Sequence, residues 1–390
     1  MITNGIHSNG ALMVGLLAAA SLALAGCDRG PTEPEGAQAG PDFAKRPPAP
    51  GYVQLALDAE PGQVDARAYD INDSHLVVGT IQYADRLESG FSRGAAFFWS
   101  EAGGGSQAQL LPNLPNTAVS AAFDINEAGE VAGASGSGLS GEYVAEALPV
   151  IWQSTGSGWT VRQLEASGLA RGLNDHGEAV GHRANDPDVW KDEPVHWSAA
   201  GAATVLPIPS GYEKAHATRI NNDGDIAGMA TTPAGVQWAV LWLRTGTGEW
   251  TPVVLNGGAI RGLTDRSVDG TLLATGDALT ARSQCCQAVR WIVTIDPSTG
   301  AVETAMEYLG TDYFKYGGGE ALNAAGDVGG FGIPGNNWAG TPQPALFNAG
   351  ASTVKLPIGR NSKGSANGIS IDRWLAGSVD GLAVVWRPSS

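Results

Sequence analysis

The chain has 390 residues, enough for one large or two ordinary domains. Glycine is abundant (55 residues) and charged residues make up only 16%, which suits many short strands joined by tight turns and excludes a helical or a disordered protein. The net charge is −16, and the first 26 residues hold no Asp, Glu, Lys or Arg, so the excess falls on the remainder; such an acidic surface repels phosphate backbones and argues against nucleic acid as a partner.

In chain order, the first element is an apolar run from Ala11 to Ala25, too short and too rich in alanine to read as a membrane span. It ends in Leu24-Ala25-Gly26-Cys27, which resembles the lipobox of bacterial lipoproteins. The resemblance implies that residues 1–26 are a signal peptide, and that Cys27 becomes the first residue with its sulfur and amino group acylated. Each buried CH₂ of an acyl chain contributes roughly 0.8 kcal/mol, so several chains would hold the protein firmly at a membrane. The alternative, a core helix ending in a buried cysteine, fits poorly with the polar stretch directly after Cys27. Residues 28–50 carry six prolines and almost no apolar residues, the composition of a semi-extended tether. Residues 51–390 then form one folded body, expected in the bacterial cell envelope and facing the periplasm or the exterior.

That body repeats one frame seven times, at a period of about fifty residues, the signature of a propeller, solenoid or array. The anchors are Asn72, Asn126, Asn174, Asn221, Thr264, Asn323 and Ser370. An apolar residue precedes each one, and the residue four earlier is small in nearly every copy (Ala68, Ala122, Ala170, Ala217, Ile260, Gly319, Ala366). Six copies have a glycine seven residues after the anchor; the fifth copy is longer and reaches Gly276. Asn at the first place and Gly at the fourth, as in Asn126 and Gly129, suit a type I turn closed by a left-handed residue. His75 takes the glycine place in the first copy. The stretch RINNDGDIAG (219–228) imitates a calcium loop, but its acidic positions are lost in the sister frames, so these residues read as turn formers and no metal is expected.

A third strand follows each hairpin and ends in Trp99, Trp152, Trp197, Trp242, Trp291, Phe347 or Trp386, with alternation that suits a half-buried strand. His196, on one of these strands, reads as a packed or hydrogen-bonded histidine. A fourth strand is predicted at 108–112, 159–164, 203–208, 250–255, 302–308 and 352–358, and the seventh copy has none. Tyr52–Leu57 is an orphan strand at the other end of the body. If it completes the seventh sheet, the array closes and loses its exposed edges. The expected fold is therefore an all-β, seven-bladed β-propeller with four antiparallel strands per blade, closed by its N-terminal strand.

These frames resemble the bacterial extracellular repeat family called HAF. Its pattern pairs an Ile-Asn-x-x-Gly-x-x-x-Gly hairpin with an Ala-Phe-x-Trp strand; INEAGEVAG (125–133) and AFFW (96–99) match, and the resemblance runs from Ala66 to Trp386. It implies export and a propeller-like fold, and carries no established activity.

Length varies most in the loops between the second and third strands, and variable loops on a rigid ring are the usual seat of recognition. The ligand-binding candidates there are Tyr143, Arg183, Trp190, Lys191 and Trp338, since an exposed aromatic ring can stack on a sugar or a peptide side chain. The competing reading packs each of them over its own blade. Arg67, Arg171, Arg219 and Arg261 fall on the inner strands without a common register, expected to pair with acids. Cys285-Cys286 could form a strained vicinal disulfide, remain as thiols, crosslink another chain or bind a soft metal; without a nearby histidine zinc is not expected. No metalloprotease, nucleophile-elbow, phosphate-loop or dinucleotide motif is present, and no cofactor is expected. Two functions remain: a lipid-anchored binding or scaffold module for a glycan, a peptide or an envelope protein, and a propeller glycosidase or polysaccharide lyase with acids converging from several blades.

Overall fold

In the computed structural model, each predicted frame folds as the inner hairpin of a four-stranded antiparallel sheet, and seven such sheets form a propeller. The structure describes residues 51–389 apart from 104, 185–191, 247, 280–285, 297, 336–339, 350 and 351. From the axis outwards, blade 1 is Gln63–Ile71, Leu76–Arg86, Ser92–Ser100 and Gln109–Leu110. Blade 2 is Val119–Ile125, Val131–Gly136, Leu148–Ser154 and Trp159–Gln163. Blade 3 is Leu169–Leu173, Ala179–Ala184, Asp192–Trp197 and Ala203–Val205. Blade 4 is Lys214–Ile220, Ile226–Thr231, Gln237–Arg244 and Trp250–Leu255. Blade 5 is Ala259–Leu263, Thr271–Leu279, Cys286–Ile295 and Val302–Tyr308. Blade 6 is Tyr316–Leu322, Val328–Ile333, Gln343–Phe347 and Val354–Lys355. Blade 7 takes Gly364–Ile369, Leu375–Val379 and Leu382–Pro388 from the end of the chain and its outer strand, Tyr52–Ala56, from the beginning. Val53 stands opposite Arg387 and Ala56 opposite Val384, so the ring closes as expected.

The small residue and the glycine of the frame have one joint cause. They face each other across the inner hairpin (Ala122 and Gly133, Ala170 and Gly181, Ala217 and Gly228), and every inner strand bulges at the very next residue. The bulge brings the backbones so close that a Cβ on Gly181 would stand 1.8 Å from the carbonyl oxygen of Leu169. A bulge leaves one residue unpaired and re-aims its side chain. The left-handed residue is where the turn requires it, at Gly129, Gly177, Gly224 and Gly326, with His75 (φ 60°) and Arg373 (φ 71°) in the first and last copies.

The aromatic residue ending each third strand is buried between blades: Trp99, Trp152, Trp197, Trp242, Trp291 and Trp386 are at most 2% exposed. Burying such a ring is the largest apolar contribution one side chain can make, and its N–H needs a partner. Trp152, Trp242 and Trp386 donate to the carbonyls of Pro112, Pro207 and Pro357, at the end of the preceding blade's outer strand. Three outer strands are shorter than expected, because proline cannot extend the ladder: Gln109–Leu110 stops before Pro112, Ala203–Val205 before Pro207 and Val354–Lys355 before Pro357. Each inner strand starts on the face bearing the loops between second and third strands, and ends on the face bearing the anchored hairpins. These are the loop face and the anchor face.

Candidate functional site

On the anchor face, each anchor asparagine uses both ends of its amide. The carbonyl oxygen of Asn174 accepts from His176 and Glu178 of its own turn, while its Nδ2 donates to the carbonyl of Asn221 in the next blade (3.1 Å). The same inter-blade bond joins Asn72 to Asn126, Asn126 to Asn174, Asn221 to Thr264 and Asn323 to Ser370. Thr264 and Ser370 keep the first role, accepting from Leu273 and Trp374, and have no amide for the second. One residue further on, the backbone N–H of Asp73, Glu127, Asp175 and Asn222 donates to the side chain of Glu127, Asp175, Asn222 and Asp265 respectively, and that of Ile371 donates to Asp73. The calcium-like residues therefore serve the turn and more besides: Asp223 accepts from the Arg266 backbone, and the fully buried Asp225 binds the Arg266 side chain and the Arg244 backbone. Among the described residues no three His, Cys, Asp or Glu are grouped to hold a metal.

The bulged residues turn to the axis: Tyr69, Phe123, Arg171, Thr218, Arg261, Glu320 and Asn367. Arg171 and Arg261 share this level, whereas Arg67 and Arg219 stand elsewhere on their strands, so the four arginines have no common register, as expected. Tyr69 meets Phe123 edge-on (5.5 Å), and the Arg171 guanidinium lies over the Phe123 ring, 4.1 Å from its centre. The four axial arginines all meet acids: Arg67 with Asp65 (3.0 Å), Arg171 with Glu142 (3.0 Å), Arg219 with Asp124 (3.9 Å), and Arg261 with Asp277 and Glu320.

The channel opens on the anchor face in a cavity of about 200 Å³ whose polar lining includes Asp70, Asp124 and Arg219, from blades 1, 2 and 4. Burial drives the Asp70 carboxyl well above the usual range, and neighbouring Asp124 adds to it against the opposing charge of Arg219. Burial likewise raises Asp124, again opposed by Arg219. Both carboxylates also tie the ring together: Asp70 accepts from the N–H of Ile125 and Asp124 from that of Leu173.

The loop face is reached by a small hairpin of blade 2, Gly138–Ser140 with Tyr143–Ala145, whose Leu139 stands opposite Ser92 of blade 1. Tyr143 is 46% exposed and lies 5.9 Å from the Phe91 ring. Its neighbour Glu142, which no sequence pattern marked, reaches to the axis. Arg183 is bound to Glu193 (2.8 Å), close to the competing reading of a side chain engaged within its own blade. Trp190, Lys191, Trp338, Cys27 and Cys285 lie outside the described residues; Cys286 opens the third strand of blade 5 opposite Leu279. His216 contacts Asp192 (2.7 Å) and stacks on His182, whose pKa burial pushes well below the ordinary imidazole value, keeping the ring neutral. His196 is buried against Trp250 and 3.4 Å from Glu178, as its strand position suggested.

No protein-family model and no curated protein matches the chain. Among solved structures, puromycin hydrolase is similar at a TM-score of 0.52 and 14% identity, over 83% of this chain and 52% of that one. The chain thus spans about half the length of that protein. Streptogramin B lyase is similar at 0.48 and 11% identity, over 87% and 98%, and the RRP9 WD40 repeats at 0.49 and 10%, over 87% and 99%. At such identities the likeness concerns the fold, and the chain is a β-propeller.

Proposed function

We propose that this protein is an exported propeller, lipid-anchored through Cys27 in the bacterial envelope, that recognises a glycan, a peptide or another envelope protein on its loop face without transforming it. One observation carries this reading: the anchor face is engaged in blade-to-blade hydrogen bonds, whereas the loops that vary most in length leave the opposite face. A rigid ring with one divergent face is the arrangement of a recognition module. The resemblance to HAF repeats and to lipoprotein signals supports export and anchoring. The test is retention from envelope extract and on a glycan panel, comparing the wild-type chain with the Trp190→Ala, Trp338→Ala double variant. Reduced retention supports the reading; unchanged retention removes those loops from the site. For the anchor, Cys27→Ser should move the protein from the detergent to the aqueous phase on phase separation.

A second reading is favoured by the axial carboxylates. Asp70 and Asp124 hold protons more tightly than ordinary aspartates and meet Arg219 in one cavity, as a glycosidase or lyase site assembled from several blades would require. New reducing ends or unsaturated products from the glycan panel, lost in Asp124→Asn, would establish it.

A further inference from the structure

The four axial arginines differ in where their acids come from. Arg67 is matched by Asp65 two residues away on the same strand, Arg219 by Asp124 and Arg261 by Glu320 on other inner strands, and Arg261 also by Asp277 on the second strand of its own blade. Arg171 alone among these four takes its carboxylate from a loop: Glu142, at the tip of the blade 2 hairpin. The stem of that hairpin is fixed, with Leu139 fully buried and Val144 nearly so. Its tip is not: the Glu142 side chain is 47% exposed, so rotating it away from Arg171 requires no movement of the backbone. A half-exposed ion pair of this kind is weakly held.

The arginine is fixed far better than its partner. Arg171 stands at the bulge, its guanidinium carbon lies over the Phe123 ring, and Phe123 is braced by Tyr69. Arginine binds carboxylates through paired N–H groups, and a guanidinium anchored over a ring is pre-positioned to offer them. Arg67 and Arg261 add their charge at the same place. Burial favours protonated Glu142, yet Arg171, Arg67 and Arg261 together hold its carboxyl below the usual range. Glu142 is therefore held in its ionised form beside Arg171, and the locus opens on the loop face.

We propose that Arg171, backed by Phe123 and flanked by Arg67 and Arg261, is a binding site for the carboxylate of a small ligand, and that Glu142 occupies it as an internal stand-in that the ligand displaces. This rests on the loop-face reading above and names the chemistry that face selects.

The test uses the full chain and its Glu142→Ala variant, titrated calorimetrically with acetate and with glucuronate against equimolar chloride and glucose. Removing the stand-in should tighten acetate and glucuronate binding by about tenfold or more over wild type, the factor that corresponds to 1.4 kcal/mol. Glucose and chloride should have no effect, and adding Arg171→Gln to Glu142→Ala should abolish the gain. Equal affinity in wild type and Glu142→Ala, a matching response to chloride, or binding that survives Arg171→Gln in a folded protein would overturn the proposal. Should Glu142→Ala fail to fold, Glu142→Gln keeps the hairpin tip in shape and is held to the same outcomes. Failure here leaves recognition by the loop face standing, since the retention experiment with Trp190 and Trp338 reads that separately.

Discussion

The anchor face and the loop face differ in where their polar groups find partners. On the anchor face, Asn72, Asn126, Asn174, Asn221 and Asn323 are 3–5% exposed and each bridges to the following blade. On the loop face, the described polar pairs join side chains to side chains: Arg183 with Glu193 within blade 3, His216 of blade 4 with Asp192 of blade 3, and Glu142 at a hairpin tip with Arg171. Buried amides that satisfy two blades at once cannot change without leaving unpaired groups, which costs more than the bond itself is worth. A half-exposed side chain such as Glu142 can change at little cost. The ring thus separates turns whose partners lie in the next blade from a hairpin tip that is free to vary.

Four experiments bear on that contrast. Deleting residues 52–57 should have the largest effect. It strips the edge of Leu382–Pro388 and opens the ring, so the folded monomer should give way to aggregates on size exclusion; an unaltered monomer would mean that closure is not needed. Next, Trp242→Ala removes a fully buried ring and its bond to Pro207, and denaturant melts should show a loss of about 3–5 kcal/mol. Third, Asn174→Ala should cost about 1–3 kcal/mol through two unpaired turn N–H groups and the lost bond to the Asn221 carbonyl. Glu142→Ala on the loop face should stay within about 0.5 kcal/mol. Equal costs at these two positions would break the distinction between the faces.

A further effect depends on pH, with opposite signs at two sites. Asp70 has a raised carboxyl pKa in the fold, so its contribution is complete below the ordinary aspartate range and is lost as pH rises through the raised native value. Asp70→Asn should therefore raise the thermal midpoint at pH 7 by roughly 2–4 °C and have no such benefit near pH 3. Glu178 is the reverse case. Its contact with His196, helped by Asn174 and Arg244 against the opposing effect of burial, brings it down to about 2; its contribution is present above 4.5 and fades as pH falls towards about 2. Glu178→Gln should lower the midpoint at pH 7 and match wild type in strong acid.

The frame was legible in the sequence because its parts are fixed by backbone geometry: the left-handed turn position, the glycine opposite the small residue, the buried indole and the strand that completes the last sheet. The purpose of two of these was not. Asn anchors read as turn formers because Asn favours turns everywhere; the bond to the next blade involves a residue 43 to 54 positions away. Arg171 and Arg261 apart, the axial residues were missed for a related reason. Tyr69, Phe123, Arg171, Thr218, Arg261, Glu320 and Asn367 share a bulge and no chemistry, so only their free variation between the small residue and the apolar one marks them. Glu142 was hidden more deeply, because its place at the axis depends on Leu139 pairing with Ser92 of another blade. Arg183 had the opposite fate: it drew notice as a charged residue near a loop and is engaged with Glu193.

Hydrogen exchange on the intact chain tests the closed ring most directly. If Tyr52–Ala56 is the outer strand of blade 7, the alternate amides that face Leu382–Pro388 should be protected and be released in the same cooperative opening as that strand. Fast exchange at those amides beside a protected Leu382–Pro388 would contradict closure, and with it the division of the molecule into a structural face and a recognising one.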